Sequence, residues 1–331
     1  MLKHSVFLTL QLKVGIRAVL TNRPRVVALV CPGSYQDYLV ERLFDDCDLL
    51  GVVVQITNQA QTKTQHESQQ GQAGKRATQT HRAWVKRAQP YLNPAVLIRY
   101  LQAKIFLPAF ERAAHDFIVE SRPTFYTSKV WREHVEVLET DNINHDEVVT
   151  FIQRLSPDLV CVNGTQLLRA SVLKVLEALP LGGINLHTGL SPYARGGNCN
   201  LFMMLQGKPE FIGATVHYLD PGIDSGKILC TIRPDIDLKD NFEILDAKTF
   251  LAGIDAILEV VIALANKTLT PVEQWTEGQL FLKRTGYEYS PYMRLKANRM
   301  SRAGVIDLYV RSKQYRDSKV RLVSLKTELD G

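Results

Sequence analysis

Short apolar runs, rich in β-branched residues and each stopped by glycine, asparagine or histidine, alternate along this chain with stretches of helical spacing. "RVVALVC" (25–31) stops at Pro32-Gly33-Ser34, and Tyr38, Leu39, Leu43 and Phe44 follow at helix-like intervals. "LLGVVVQIT" (49–57) is the next run. Strand, glycine-containing turn, helix and strand make a βαβ unit, so the sheet is at least partly parallel. The pattern resumes with "VEVLET" (135–140), then "NHDEVVTFIQRL", a helix with Asp146 and Glu147 in its first turn. "PDLVCVNG" (157–164), a helix over 166–178 and "LGGINLH" (181–187) continue it. This series predicts an α/β fold on an open, mostly parallel, Rossmann-like sheet. Ligands of such sheets bind beyond the carboxyl ends of the strands. Gly33-Ser34, Asn163-Gly164 and Asn185-Leu186-His187 therefore point at one crevice, and strand alternation puts Asn185 and His187 on the same face.

Two stretches depart from the plan. Residues 58–80 are rich in Gln and Thr and nearly devoid of apolar side chains, the composition of a flexible loop. Residues 84–120 read as a helical insertion whose apolar face is Trp84, Val85, Leu97, Leu101, Ile105, Phe106 and Phe110. The basic residues Lys75, Arg76, Arg82, Lys86 and Arg87 read as a solvated face, with an anionic partner as the alternative. Residues 1–24 read as an N-terminal extension. Lys13 and Arg17 interrupt their apolar stretch, and no small-residue cleavage site is clear. The expected organisation is this extension, a catalytic domain over 25–232 with the 58–130 loop and insertion, and a C-terminal helix (244–266) with a smaller accessory module to 331.

With 331 residues of which 45% are hydrophobic, the chain has enough apolar material for a sizeable core. No apolar run reaches the length of a membrane span. A net charge of +6 suits an anionic small molecule, a phosphate or nucleic acid without selecting among them. Five cysteines lie scattered with no C-x-x-C pair, which speaks against a zinc ribbon and for reduced thiols in a cytoplasmic protein. No metal site is expected.

Two further motifs concentrate polar residues. "GGINLHTGLSPYARGG" (182–197) carries Asn185 and His187 into a loop that cannot be helical. "GATVHYLDPGIDSGKIL" (213–229) runs from an alternating strand into a tight turn bearing Asp220 and Asp224. Most aspartates in such turns only shape the turn. His217, on the strand before it, reads as structural.

Together with "PDLVCVNG", these motifs resemble the folate-dependent formyltransferases, a superfamily that spans methionyl-tRNA, glycinamide ribonucleotide and nucleotide-sugar N-formyltransferases. Asn185, His187, Leu190, Ser191-Pro192, Arg195-Gly196 and Gly222-Ile223-Asp224-Ser225-Gly226 fit its order and spacing. The resemblance is strong over about 150–232, loose over 25–57 and absent over 58–130. It implies transfer of a formyl group from 10-formyltetrahydrofolate to a primary amine. Asn185 and a protonated His187 would hold the developing oxyanion, and Asp224 would favour the charged imidazole or help remove the amine's proton. It further implies that the folate meets Gly164, Asp220, Gly222, Ile223 and Gly226. Gly33 and Ser34, at a helix start suited to phosphate, would lie on the acceptor side. Arg195 either orders its loop or meets a phosphate.

The C-terminal part is shorter than a tRNA-binding barrel and linker would use, which favours an amino sugar on a nucleotide carrier or a related small amine. Nucleic acid and membrane are not expected as partners; a homodimer stays open. The alternatives are a methionyl-tRNA formyltransferase, a 10-formyltetrahydrofolate hydrolase using water as acceptor, and a non-catalytic folate- or nucleotide-binding protein.

Overall fold

The computed structural model describes residues 23–56, 93–127 and 129–325. The expectations for residues 1–22 and 58–80, for Trp84 and Val85, and for Lys75, Arg76, Arg82, Lys86 and Arg87 fall outside the described residues.

Five parallel strands form the larger part of a seven-stranded sheet, with β3 at one edge: β1 (Arg25–Val30), β2 (Asp48–Gln55), β3 (Glu136–Thr140), β4 (Leu159–Asn163) and β5 (Gly183–His187). An antiparallel hairpin, β7 (Ala214–Tyr218) and β8 (Ile228–Ile232), completes one edge, giving the order β3-β2-β1-β4-β5-β7-β8. The helix α1 (Ser34–Asp46) connects β1 to β2. β1 shows why its run has no polar member. Val26, Ala28 and Val30 face one layer, while Val27 and Leu29 face the other. A parallel strand covered on both faces has no solvent side to make polar.

On one face lie α1 and a 24-residue helix near the C-terminus, α7 (Phe242–Ala265), whose Leu251, Ile254, Ile257 and Val261 share a core with the strands. On the other lie α4 (Asp146–Leu155) and α5 (Ala170–Glu177), which contribute Val148, Ile152, Val172 and Leu176. Between these helices in the chain come α2 (Pro94–Ser121), the short α3 (Trp131–His134), the three-residue strand β6 (Ala194–Gly196) and α6 (Cys199–Leu205). After α7 follow β9 (Gln279–Phe281) and α8 (Pro291–Met300). Described residues beyond 232 thus pack against the sheet and against the loop after β5. β9 pairs in parallel with β6, so a strand near the C-terminus braces the loop that follows β5.

The insertion is helical, but its expected apolar face is not the buried one. Leu97, Leu101, Ile105 and Phe106 are exposed, Ile105 by 67%, and of the expected set described here only Phe110 is buried. Ala103, Leu107, Phe110, Ala114 and Ile118 form the packed side instead. The helix is apolar around most of its circumference, so 3.6-residue periodicity alone cannot say which stripe meets α7 and α8. Its start follows local chemistry: Asn93 Oδ1 accepts from the Ala95 N–H, with Pro94 at the first helical position. Among the described residues, no helix is long and apolar enough to cross a membrane.

Candidate active site

β1 and its neighbour β4 mark the point where the strand order reverses, and a cleft of about 390 Å³ opens at the carboxyl ends beside it. Asn163 and Gly164 at the end of β4, Asn185 and His187 at the end of β5, and Asp220, Gly222, Ile223 and Asp224 in the β7–β8 turn all line it.

The register of the antiparallel pair places Asn185 directly opposite His217 and His187 opposite Thr215. Thr215 ties the loop after β5 in place: its hydroxyl donates to Gly189 O at 2.8 Å and accepts from the Ser191 N–H at 2.9 Å. Gly189 leaves room for the imidazole, since a Cβ there would sit 2.3 Å from His187 Nε2.

His187 is buried, and both its nitrogens face oxygen. Nε2 lies 3.2 Å from Ala194 O, a contact in which the nitrogen must donate, and Nδ1 lies 3.5 Å from Asp224 Oδ2. The Cys199 thiol is also 3.5 Å from Nε2. Asp224 Oδ2 accepts from the Gly196 N–H at 2.8 Å, and its Oδ1 lies 3.5 Å from His217 Nε2. His217 Nδ1–H donates to Tyr218 O at 2.8 Å, and its Nε2 lies 3.2 Å from Asn185 Nδ2. The Asn185 carboxamide is thereby oriented by a side chain that also lines the cleft.

The resemblance implies a charged His187; the oxygen acceptors at both ring nitrogens suit that form, and burial opposes it. Burial pushes the imidazole down, Asp224 pulls it up only in part, and His217 pushes it down again, so the ring lies below its ordinary range. For Asp224, burial acts to raise the carboxyl, but His187, His217 and the Gly196 N–H prevail and hold it well below the usual carboxylate range.

Asp220 accepts the Ser225 hydroxyl at 2.8 and 3.0 Å, which closes the turn while the residue lines the cleft. Gly226 sits below the turn and outside the lining, where a Cβ would come 1.9 Å from Tyr218 O. Arg195 lies on β6 outside the lining, with its Nε buried and without a hydrogen-bond partner among the described residues. Gly33 and Ser34 open α1 without lining the cleft. Gln36, two residues on from Ser34, does line it, donating to Asn163 Oδ1 at 2.7 Å, and Asn163 in turn donates to Leu186 O.

Sequence reasoning passed over Gln36 and Gln274, and it read as structural His217, which lines the cleft. His217 was legible in principle, because alternation along "ATVHYL" puts it on the face of Thr215. Gln36 carries no motif. Gln274 bridges the turn from 50 residues away, donating to Asp224 O and Gly226 O at 2.8 and 2.9 Å, and no local signal marks it.

This arrangement of polar groups at the strand ends is accompanied by family membership. The model of the formyl transferase family matches residues 50–261, so the chain belongs to that family. It is similar to the methionyl-tRNA formyltransferase of Halothermothrix orenii, 32% identical over 160 residues, 48% of this chain and 49% of that one. The methionyl-tRNA formyltransferase of Bacillus velezensis is 29% identical over 143 residues, 43% of this chain and 44% of that one. The chain thus spans about half the length of each. Solved structures similar to it include a 4-N formyltransferase from Francisella tularensis (TM-score 0.44, 16% identity, 77% of this chain and 75% of that one). Another is glycinamide ribonucleotide transformylase 1 from Symbiobacterium toebii (TM-score 0.45, 15% identity, 76% and 95%).

Proposed function

We propose that the protein transfers a formyl group from 10-formyltetrahydrofolate to a primary amine, and that the acceptor is an amino sugar on a nucleotide carrier or a related small amine. The observation that carries this reading is the meeting of Asn185, His187 and Asp224 in one cleft, with Asn185 oriented by His217. Family membership supports it.

The cleft fits the donor. Val162, Leu167, Leu168 and Leu219 give apolar walls for a flat ring, and the turn at Gly222–Asp224 presents backbone polar groups. When bound, the donor supplies an electrophilic formyl carbon. The free N–H of Asn185 meets the formyl oxygen as negative charge gathers there. With Nε2 donating to Ala194 O, His187 carries a proton on Nδ1 only as the cation, and the Asp224 carboxylate 3.5 Å from Nδ1 favours that form beside the developing charge.

The test is to incubate the purified protein with 10-formyltetrahydrofolate and a panel of nucleotide-linked amino sugars, and to analyse the products by mass spectrometry. An N-formyl product dependent on both substrates is expected. Formate release with no amine present, at the same rate as with one, would replace this reading by the hydrolase.

A further inference from the structure

The insertion helix α2 buries only one of its sides. Ala103, Leu107, Phe110, Ala114 and Ile118 pack inward. On the side turned away, Leu97, Leu101, Ile105 and Pro108 succeed one another at three- and four-residue steps, and Ile98 and Ala109 widen the stripe. All of these are exposed, Ile98 by 54% and Ile105 by 67%, over roughly 17 Å of helix. Scattered apolar residues on a surface need no explanation, but a contiguous stripe of this length marks a contact.

The stripe lies between cations. Helical spacing puts Lys104 along one edge and Arg99 towards the other. On the Arg99 side α8 packs beside α2, and the arginines of the two segments lie over each other's aromatic rings. Arg99 is 5.6 Å from the Tyr292 ring centroid, Arg299 5.6 Å from that of Phe106, and Arg302 4.4 Å from that of Phe110. Arg99, Lys104, Arg299 and Arg302 are exposed, and none of them pairs with a carboxylate among the described residues. Residues 94–110 and 291–302 contain no Asp or Glu. Arg294, on the inner side of α8, is by contrast matched by Glu243 and Glu111.

We propose that this face docks on an anionic lipid surface, with the apolar stripe of α2 in the head-group boundary and Lys104 and the three arginines on lipid phosphates. The helix then lies on the membrane and does not span it; among the described residues no helix could. Long cationic side chains beside an apolar stripe suit that boundary, because their stems stay in apolar surroundings while their heads reach phosphate. Charge decides against a second copy of the chain as the occupant. An isologous pair centred on the stripe would bring one basic rim onto another, with no carboxylate in residues 94–110 or 291–302 to answer it. An anionic surface neutralises both edges at once. The expectation that no membrane is a partner rests on the lack of a spanning run, which docking on a surface does not need.

The test is co-sedimentation of the full chain with vesicles of phosphatidylcholine, with and without phosphatidylglycerol. The protein is expected to sediment with the anionic vesicles and to bind the neutral ones at least about tenfold more weakly. Arg99→Gln combined with Arg299→Gln should weaken binding to anionic vesicles about tenfold. Leu101→Gln combined with Ile105→Gln should weaken it by about the same factor while leaving the charge unchanged, which separates docking of this face from a general attraction of anions to a chain of net charge +6. All four side chains are exposed, so the thermal unfolding midpoints of both variants should stay close to that of the wild type. The proposal is overturned if the wild type stays in the supernatant with anionic vesicles, if neutral vesicles bind it as well, or if the Leu101 and Ile105 variant binds as the wild type does. A wild-type dimer that this variant dissociates, with no vesicle binding, would overturn it in favour of a second copy on the same face.

Discussion

His187 and Asp224 share one proton balance, and the direction of each shift has consequences. Both groups lie below their ordinary values, about 6.5 and 3.9, so the folded protein binds fewer protons than the unfolded chain as pH falls through these ranges. The stability they contribute is complete above about pH 6.5 and declines as pH falls, first through His187 and then through Asp224. Asp224→Asn removes the anion that pulls His187 up, so its imidazole should titrate still lower. The Cε1 proton shift of His187 followed against pH checks this; an unchanged or higher midpoint would contradict the assigned pairing. His217→Ala should lower turnover by releasing the Asn185 carboxamide. In an Asn185→Ala background the same change should cost almost nothing, because the interaction it serves is gone. Additive losses in that double-mutant cycle would return His217 to a purely structural role. Asn185 and His187 were legible in the sequence because period-two alternation and a strand end suffice to place them. How deeply the His187 ring is buried was not, because its burial comes from distant elements.

A strand covered on both faces must be apolar nearly throughout, and β1, β2 and β4 were readable from such runs; β3, at the sheet edge, carries Glu136 and Glu139 and is only partly buried. The helix α2 shows the converse: with Ile105 and Phe106 exposed and Ala103 and Leu107 buried, tertiary contacts chose a stripe that composition left open. The β7–β8 hairpin depends on close backbone approach at Gly226. Its missing side chain lets the turn that holds Asp224 fold back onto Tyr218 O. Gly226→Ala forces backbone apart and should destabilise the protein by about 1–3 kcal/mol, with a larger fall in turnover as Asp224 shifts. Urea unfolding of the two proteins measures the first part; equal midpoints would mean that the hairpin accommodates a Cβ. The β6–β9 ladder is held in a similar way. Gly196 adopts φ +98°, a conformation that disfavours other residues, and packs against Phe281 O. No local pattern could have announced this pairing, because its strands lie far apart in sequence and have only three residues each.

At the scale of the molecule, the groups proposed as catalytic come from the middle of the chain and their supports from both sides of it. Gln36 steadies Asn163 from the first crossover, while Gln274 and β9 hold the Asp224 turn and the Ala194–Gly196 strand from the C-terminal part. α7 and α8 carry Asp246 and Arg294 in the wall of a cavity that adjoins the cleft. The central claim is that Asn185, His187 and Asp224 act together to move a formyl group onto an amine. The most direct test is to supply 10-formyltetrahydrofolate carrying a carbon-13 formyl group, with amino-sugar acceptors, and to follow the label by NMR. The account predicts that the label appears as an N-formyl amide in the wild type. Each of Asn185→Ala, His187→Ala and Asp224→Ala should slow its appearance by about a hundredfold or more without unfolding the protein. Label that accumulates as formate regardless of amine, or that transfers at near wild-type rate in any of the three variants, would contradict it.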